Sequence, residues 1–161
     1  MTVSTAVSLE ERREVEELYA EYAAALDDAD YERWPDFFTD DCVYRVIPRE
    51  NYDRGLPLAT LSFESKGMLR DRVYGITQTL FHEPYYQRHI VSGLVIGADD
   101  GGFRAQANYV VIRTKAGALS EVYNAGRYVD RIVRESGALR FAEKLCVFDS
   151  ELIPNSLIYP I

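Results

Sequence analysis

Val15, Leu18, Tyr19, Tyr22 and Leu26 recur at intervals of three and four residues. That spacing places them on one face of a helix. Glu10, Glu14, Glu17 and Glu21 fall on its other faces. Ser8 stands three residues before Glu11, the reciprocal capping arrangement, and Asp27-Asp28 meets the negative end of the helix dipole. A helix is therefore predicted over residues 9–27. Asp30 predicts the cap of a short second helix through Tyr31-Glu32-Arg33-Trp34, with Pro35 in an early turn. Trp34, Phe37 and Phe38 form a dense aromatic cluster, read as a plug at one end of a sheet. Cys42 to Ile47 alternates around Arg45 and predicts a strand. Pro48 to Pro57 reads as loop. Helical spacing returns from Glu64 to Leu80, with Met68, Leu69, Val73, Ile76 and Leu80 inward, and Gly67 weakens its start.

After Pro84 the pattern changes to period two. Four β-rich runs follow, at residues 87–98, 103–114, 121–133 and 139–149. They are separated by Asp99-Asp100-Gly101-Gly102, Lys115-Ala116-Gly117 and Glu135-Ser136-Gly137. Short Gly-bearing connections join antiparallel neighbours. Helices first and hairpin-linked strands afterwards predict an α+β fold, a strongly curved antiparallel sheet with the N-terminal helices on its concave face.

The length of 161 residues fits one domain, 1–161. Twelve Tyr and seven Phe beside one Trp suit interfaces and cavity walls, since Tyr joins an apolar body to a polar tip. Tyr22, Trp34, Phe38, Tyr109 and Tyr123 are the candidate pocket wall. The net charge of −8 is uneven: Glu10 to Asp41 holds thirteen acidic residues against three basic ones. An acidic face repels phosphate backbones, so nucleic acid is excluded as a partner. No run of apolar residues approaches the length of a bilayer span. Met1 to Leu9 lacks the basic and apolar regions of a signal peptide. Cys42 and Cys146 sit in apolar strand-like runs, as reduced, buried thiols of a cytoplasmic protein.

The ligand inventory limits the chemistry. A Rieske cluster takes two Cys and two His, usually as two Cys/His pairs. Here the chain holds two of each in total, and no Cys lies near a His. A mononuclear iron site takes two His and a carboxylate. His82 and His89 are seven residues apart, so they lack the i, i+4 spacing that sets two ligands on adjacent turns of one helix. No Gly-x-Ser-x-Gly elbow, P-loop or dinucleotide fingerprint is present. No catalytic, metal or cofactor residue is assigned. One enzymatic reading survives as an alternative: an isomerase or dehydratase, or a ligand-binding module, in which His89 pairs with Asp71 or Asp27. Tyr109 or Tyr123 would then stabilise an enolate.

Several stretches carry a resemblance. Asp30-Tyr31-Glu32-Arg33-Trp34-Pro35-Asp36-Phe37-Phe38 is followed by Asp41-Cys42-Val43-Tyr44-Arg45-Val46. Next come Met68-Leu69-Arg70-Asp71-Arg72-Val73 and Arg88-His89-Ile90-Val91-Ser92. Gly126-Arg127-Tyr128-Val129-Asp130 and the ending Phe148-Asp149-Ser150 complete the set. In this order they resemble the beta (small) subunits of Rieske-type aromatic-ring-hydroxylating dioxygenases over nearly the whole chain. Asn51-Tyr52-Asp53-Arg54-Gly55-Leu56-Pro57-Leu58 is similar to the branch acting on aromatic acids, that of salicylate hydroxylases and terephthalate dioxygenase. The resemblance implies an NTF2-like cone, a trimer of this chain and an α3β3 hexamer. It also implies a large (alpha) subunit carrying the Rieske [2Fe-2S] cluster and the mononuclear iron. On this reading the chain supports assembly and holds no cofactor itself.

Arg72, Arg88, His89, Arg113, Arg127 and Arg131 are then the candidate structural or interface residues. Arg and Tyr are favoured at such contacts. Neighbours in a strand point to opposite faces, so one of Arg88 and His89 should meet the helix layer. Asp71 and Arg72 would be its partners there, and the other residue would face a neighbouring subunit.

Overall fold

The computed structural model describes residues 6–154 and 156–161. Residues 1–5 of the segment read as lacking a signal peptide lie outside the described residues. Helix α1 spans Leu9–Asp27. Ser8 Oγ accepts from the Glu11 N–H, and the Glu11 carboxylate accepts from the Ser8 N–H at 2.8 Å. Such a cap is worth about 1 kcal/mol. The predicted stripe of Val15, Leu18, Tyr19, Tyr22 and Leu26 is buried. Ala29, in the left-handed region at φ 57°, turns the chain away after the helix.

The short second helix begins later than predicted. Trp34–Phe37 is a single 3₁₀ turn with Pro35 in its first positions, where the missing N–H costs nothing. Strand β1 spans Phe38–Pro48. The predicted loop after it contains a short helix, α2, at Arg49–Asp53. Arg49–Asp53 and Glu50–Arg54 ion pairs at helical spacing brace it. After β2, Leu61–Phe63, helix α3 covers Lys66–Tyr74 and continues as a π turn over Gly75–Thr79.

Two inward assignments in this region fail. Leu69, Val73 and Ile76 are buried, whereas Met68 and Leu80 are exposed. Leu69, Val73 and Ile76 follow at spacings of four and three and share one face, and Met68, about 100° around the helix from Leu69, falls at the edge of that face and stays at the surface. The π turn, closed by Leu80 N–H to Gly75 C=O at 2.7 Å, changes the helical phase and carries Leu80 outward.

Strands β3 (Tyr85–Asp99), β4 (Gly102–Lys115), β5 (Glu121–Glu135) and β6 (Ala138–Phe148) form the predicted hairpin series. The six-stranded sheet has the order β2-β1-β6-β5-β4-β3. The hairpin series is antiparallel, but β1 lies parallel to β6. The sheet is mixed, a feature that local turn signals in the sequence do not report.

Alternation sets the two faces. Ala105, Ala107, Tyr109 and Val111 of β4, Tyr128 and Ile132 of β5, and Phe141, Cys146 and Phe148 of β6 point inward and are buried. The sheet curls over α1 without closing, and bulges interrupt the register at Ser92/Val95, Val111/Ile112 and Arg131/Ile132. Helix α2 covers part of the outer face, where the Arg127 guanidinium lies over Tyr52 and pairs with Asp53 at 3.6 Å.

Cys42 and Cys146 lie on adjacent strands but not opposite each other, since Cys146 pairs with Val46. Both thiols are free and buried. Burial pushes Cys146 up to about 12 and Cys42 up to about 11. At about pH 8 the folded protein should react with iodoacetamide at least a hundredfold more slowly than an exposed thiol, because the thiolate is the nucleophile. Guanidinium should expose both. Fast labelling of either thiol in the native protein, followed by mass spectrometry, would contradict this.

Candidate functional site

The inner face of the sheet buries an ion pair. Asp130 on β5 and Lys144 on β6 are register partners. Their side chains are both fully buried and pair at 2.9 Å. Tyr19 Oη of α1 donates to the same carboxylate. The Lys144 ammonium sits 3.5 Å from the Tyr128 ring centroid and 4.3 Å from that of Phe141, with Tyr19 and Tyr22 beyond. The rings present their negative faces to the cation. Burial raises the Asp130 pKa although Lys144 opposes it. Alternation carried this signal: Lys144, Cys146 and Phe148 share a strand face, as do Tyr128, Asp130 and Ile132.

A second polar cluster joins the end of α1 to β3. His89 Nδ1 meets Asp27 Oδ1 at 2.6 Å, and the His89 backbone N–H donates to the same carboxylate at 2.9 Å. Arg88, exposed on the opposite face, reaches Asp27 Oδ2 at 3.7 Å. His89 thus does face the helix layer, but its partner is Asp27 rather than Asp71 or Arg72. Beside it lies a hollow of about 440 Å³ lined by Arg12, Glu16, Tyr19, His89, Val91 and Leu94, among others.

A histidine bonded to a carboxylate has the arrangement of a general base. The groups proposed to work with it are otherwise engaged. The His89 side chain is wholly buried. Tyr109 Oη donates to Asn124 Oδ1 at 2.6 Å, and Tyr123 Oη donates to the Ser156 carbonyl at 2.8 Å.

The proposed pocket wall is largely core. Tyr22, Trp34, Phe38 and Tyr109 are at most 1% exposed, and Tyr22, Trp34 and Phe38 pack edge to face with neighbouring rings. Tyr109 stacks on Tyr128 at 4.4 Å. Tyr123 does border a hollow, together with Val122, Leu152 and Pro154.

The arginines divide between the two faces. Arg127 and Arg131 share the outer face of β5. Arg131 approaches Asp99 at 3.8 Å. Arg113 faces the other way, with its guanidinium over Tyr123 and Tyr85 and bonded to Glu121. Arg72 is part-buried and donates to the Leu157 and Ile158 carbonyls at 2.7 and 2.9 Å. Its visible role is to hold the last segment of the chain.

Among the described residues, no three His, Cys, Asp or Glu side chains are grouped so as to hold a metal ion, and no helix is long and apolar enough to cross a membrane.

An open, curled sheet wrapped over a capped helix, with its aromatic core on the inner face, defines the SnoaL-like class of the NTF2-like fold. The SnoaL-like domain model matches residues 7–144. The small subunit of anthranilate 1,2-dioxygenase from Burkholderia cepacia is 39% identical over 149 residues, 92% of either chain. Subunit beta 2 of the terminal oxygenase component of terephthalate 1,2-dioxygenase from Comamonas sp is 32% identical over 143 residues, 88% of this chain and 93% of that one. Among solved structures, a beta subunit assigned to an aromatic-ring-hydroxylating dioxygenase of Novosphingobium aromaticivorans superposes with a TM-score of 0.84 at 39% identity. It covers 92% of this chain and 95% of its own. The chain belongs to the small (beta) subunits of aromatic-ring-hydroxylating dioxygenases.

Proposed function

We propose that this chain acts as one NTF2-like domain, residues 1–161, that supports assembly of a ring-hydroxylating oxygenase and takes no part in its chemistry. Its partner is a large subunit that carries the Rieske [2Fe-2S] cluster and the mononuclear iron, in a cytoplasmic α3β3 complex with this chain as the trimer. The substrate is an aromatic ring bearing a carboxylate. The substrate reading rests on the relatives, whose names specify anthranilate and terephthalate.

The observation that carries the non-catalytic reading is how Tyr109 and Tyr123, the phenols an enolate would need, and Tyr19 and Tyr22 near them are used; the Tyr128 hydroxyl has no partner among the described residues but is fully buried. Tyr19, Tyr22, Tyr109 and Tyr123 each donate to an acceptor within the chain. A catalytic phenol needs its hydroxyl free for the reacting group. Arg127 and Arg131 share the outer face of β5, which supports reading them as the arginines that meet a second copy, whereas Arg113 turns inward, which does not support that role for it.

The test is coexpression with a Rieske large subunit, followed by purification and oxidation of anthranilate, salicylate and terephthalate. The isolated chain should oxidise none of them and the complex at least one. His89→Ala removes the bond to Asp27 and should lower the yield of complex on size exclusion. Turnover per iron in the complex that does form should stay within a few-fold, roughly under 1 kcal/mol of barrier. A loss of about a hundredfold in an intact complex, roughly 2.7 kcal/mol, would place this chain in the chemistry.

A further inference from the structure

Large apolar side chains are left in solvent at one end of the sheet, where β3 begins and the β4–β5 hairpin turns. Phe81 is fully exposed and Leu119 is 92% exposed, the two highest values for large apolar side chains among the described residues. Tyr86, Val122, Leu152 and Ile153 are exposed as well. Strand register gathers these positions, since Tyr86 pairs with Thr114 and Val122 with Ile112. The Glu83–Lys115 ion pair at 3.2 Å ties the loop that carries Phe81 to the end of β4. Val122, Leu152, Ile153 and Pro154 line the hollow that Tyr123 borders, about 490 Å³ in volume.

The backbone that presents these side chains is braced. His82, next to Phe81, meets the Leu80 carbonyl through Nδ1 at 3.2 Å and the Tyr159 hydroxyl through Nε2 at 2.8 Å. In the hairpin loop, the Ala118 N–H donates to the Lys115 carbonyl at 3.2 Å, and the Thr114 and Ser120 hydroxyls meet at 2.7 Å. Anchors fixed before contact lose less entropy on binding. The charges of this rim are also matched within the chain: Glu83 with Lys115, and Arg113 with Glu121 at 2.9 Å. A partner covering the rim therefore buries no unpaired charge there. The six apolar residues present on the order of 1,000 Å² of surface, more than the largest patch of a typical monomer and about what one side of a stable complex buries.

We propose that this rim is the docking surface for the large oxygenase subunit. The proposal rests on the reading of this chain as an assembly subunit and deepens it. Phe81 and Leu119 are the anchors on this side. The facing surface is apolar and poor in charge, with one bulky side chain seated in the hollow of Val122, Leu152 and Ile153. A second copy of this chain fits less well. A single patch that meets its own copy closes a two-fold dimer, whereas a small subunit requires a surface for its large one.

The test is capture of the coexpressed Rieske large subunit by tagged parent and variant chains. Phe81→Ala should weaken capture about thirtyfold, the loss expected of an anchor. Phe81→Ala combined with Leu119→Glu and Leu152→Glu should abolish it. All three side chains are exposed, so the isolated variants should keep the parent's thermal midpoint and elution volume. Val95→Glu is the control, an exposed apolar position toward the other end of β3, and should capture like the parent. In the parent complex, hydrogen exchange should slow over residues 80–86 and 115–122, a readout that needs no variant to fold. Undiminished capture by the triple variant, an equal loss in Val95→Glu, or unchanged exchange at the rim overturns the proposal. A triple variant that instead alters the oligomeric state of the isolated chain overturns it too, and makes the rim a contact between copies. If the parent chain captures no large subunit, the assembly reading fails and the rim with it. A complex that forms and survives the rim variants sinks the rim alone.

Discussion

Lys144→Met will destabilise the chain by about 3–5 kcal/mol, the usual cost of breaking a buried ion pair by removing one partner. Methionine fills a similar volume, so the loss is electrostatic and not a cavity effect. The Asp130 carboxylate would remain fully buried, with the Tyr19 hydroxyl as its main remaining side-chain donor. The four rings around the ammonium would also lose their cation. Burial already raises the Asp130 pKa in the presence of Lys144, and without the ammonium it must rise further. A carboxylate with a raised pKa in the folded state binds its proton more tightly there than in the unfolded chain. Stability therefore falls as pH rises through the window between the two pKa values. The deficit of the variant should be largest near neutral pH and shrink as the pH is lowered and Asp130 is protonated. Urea unfolding across the acid range measures it. Lys144→Met combined with Asp130→Leu removes both charges and should recover most of the loss, as apolar replacement of both partners often does. A single-variant cost below about 1 kcal/mol, or one that grows toward acid, would refute the account.

Gly126→Ala should cost about 3 kcal/mol, the upper end of ordinary overpacking. A Cβ at this position would lie 1.9 Å from the Val147 carbonyl oxygen and 2.8 Å from Phe148 Cα. Both obstacles are backbone atoms of the paired strand, where Gly126 stands opposite Phe148. No rotamer change relieves the clash, so β5 and β6 must separate or slip. Slippage would also disturb the Asp130–Lys144 pair, four residues along the same ladder. Gly97→Ala is the control, because a Cβ there meets nothing within 4 Å. It should stay within about 0.5 kcal/mol of the parent, as surface substitutions do. Thermal unfolding of the two variants side by side decides the matter, and equal stabilities would sink the close-approach argument. Gly126 opens the Gly-Arg-Tyr-Val-Asp run that carries part of the family resemblance, and this contact is a physical reason for glycine there.

What could be read from the sequence alone was whatever depends on neighbours in the chain. The capped helix over residues 9–27, its buried stripe and the four hairpin-linked strands rest on spacings of two to four residues and on turn chemistry. The structure reproduces all of them. The family was legible too, because motifs in a fixed order survive without knowledge of how they pack. The tertiary structure alone decided the contacts between distant segments. The parallel placement of β1 beside β6 depends on sheet order, which no local period encodes. Of the two partners the sequence offered for His89, Asp71 and Asp27, the structure selects Asp27, 62 positions away, because α1 ends where β3 begins its inner face. Arg113 turns inward while Arg127 and Arg131 face out, a division set by strand register. Ile161 reaches Tyr22 across 139 positions, and nothing in its own short segment announces that contact. Periodicity reports which side of an element is buried, while the identity of what covers it is set by how the elements close on one another.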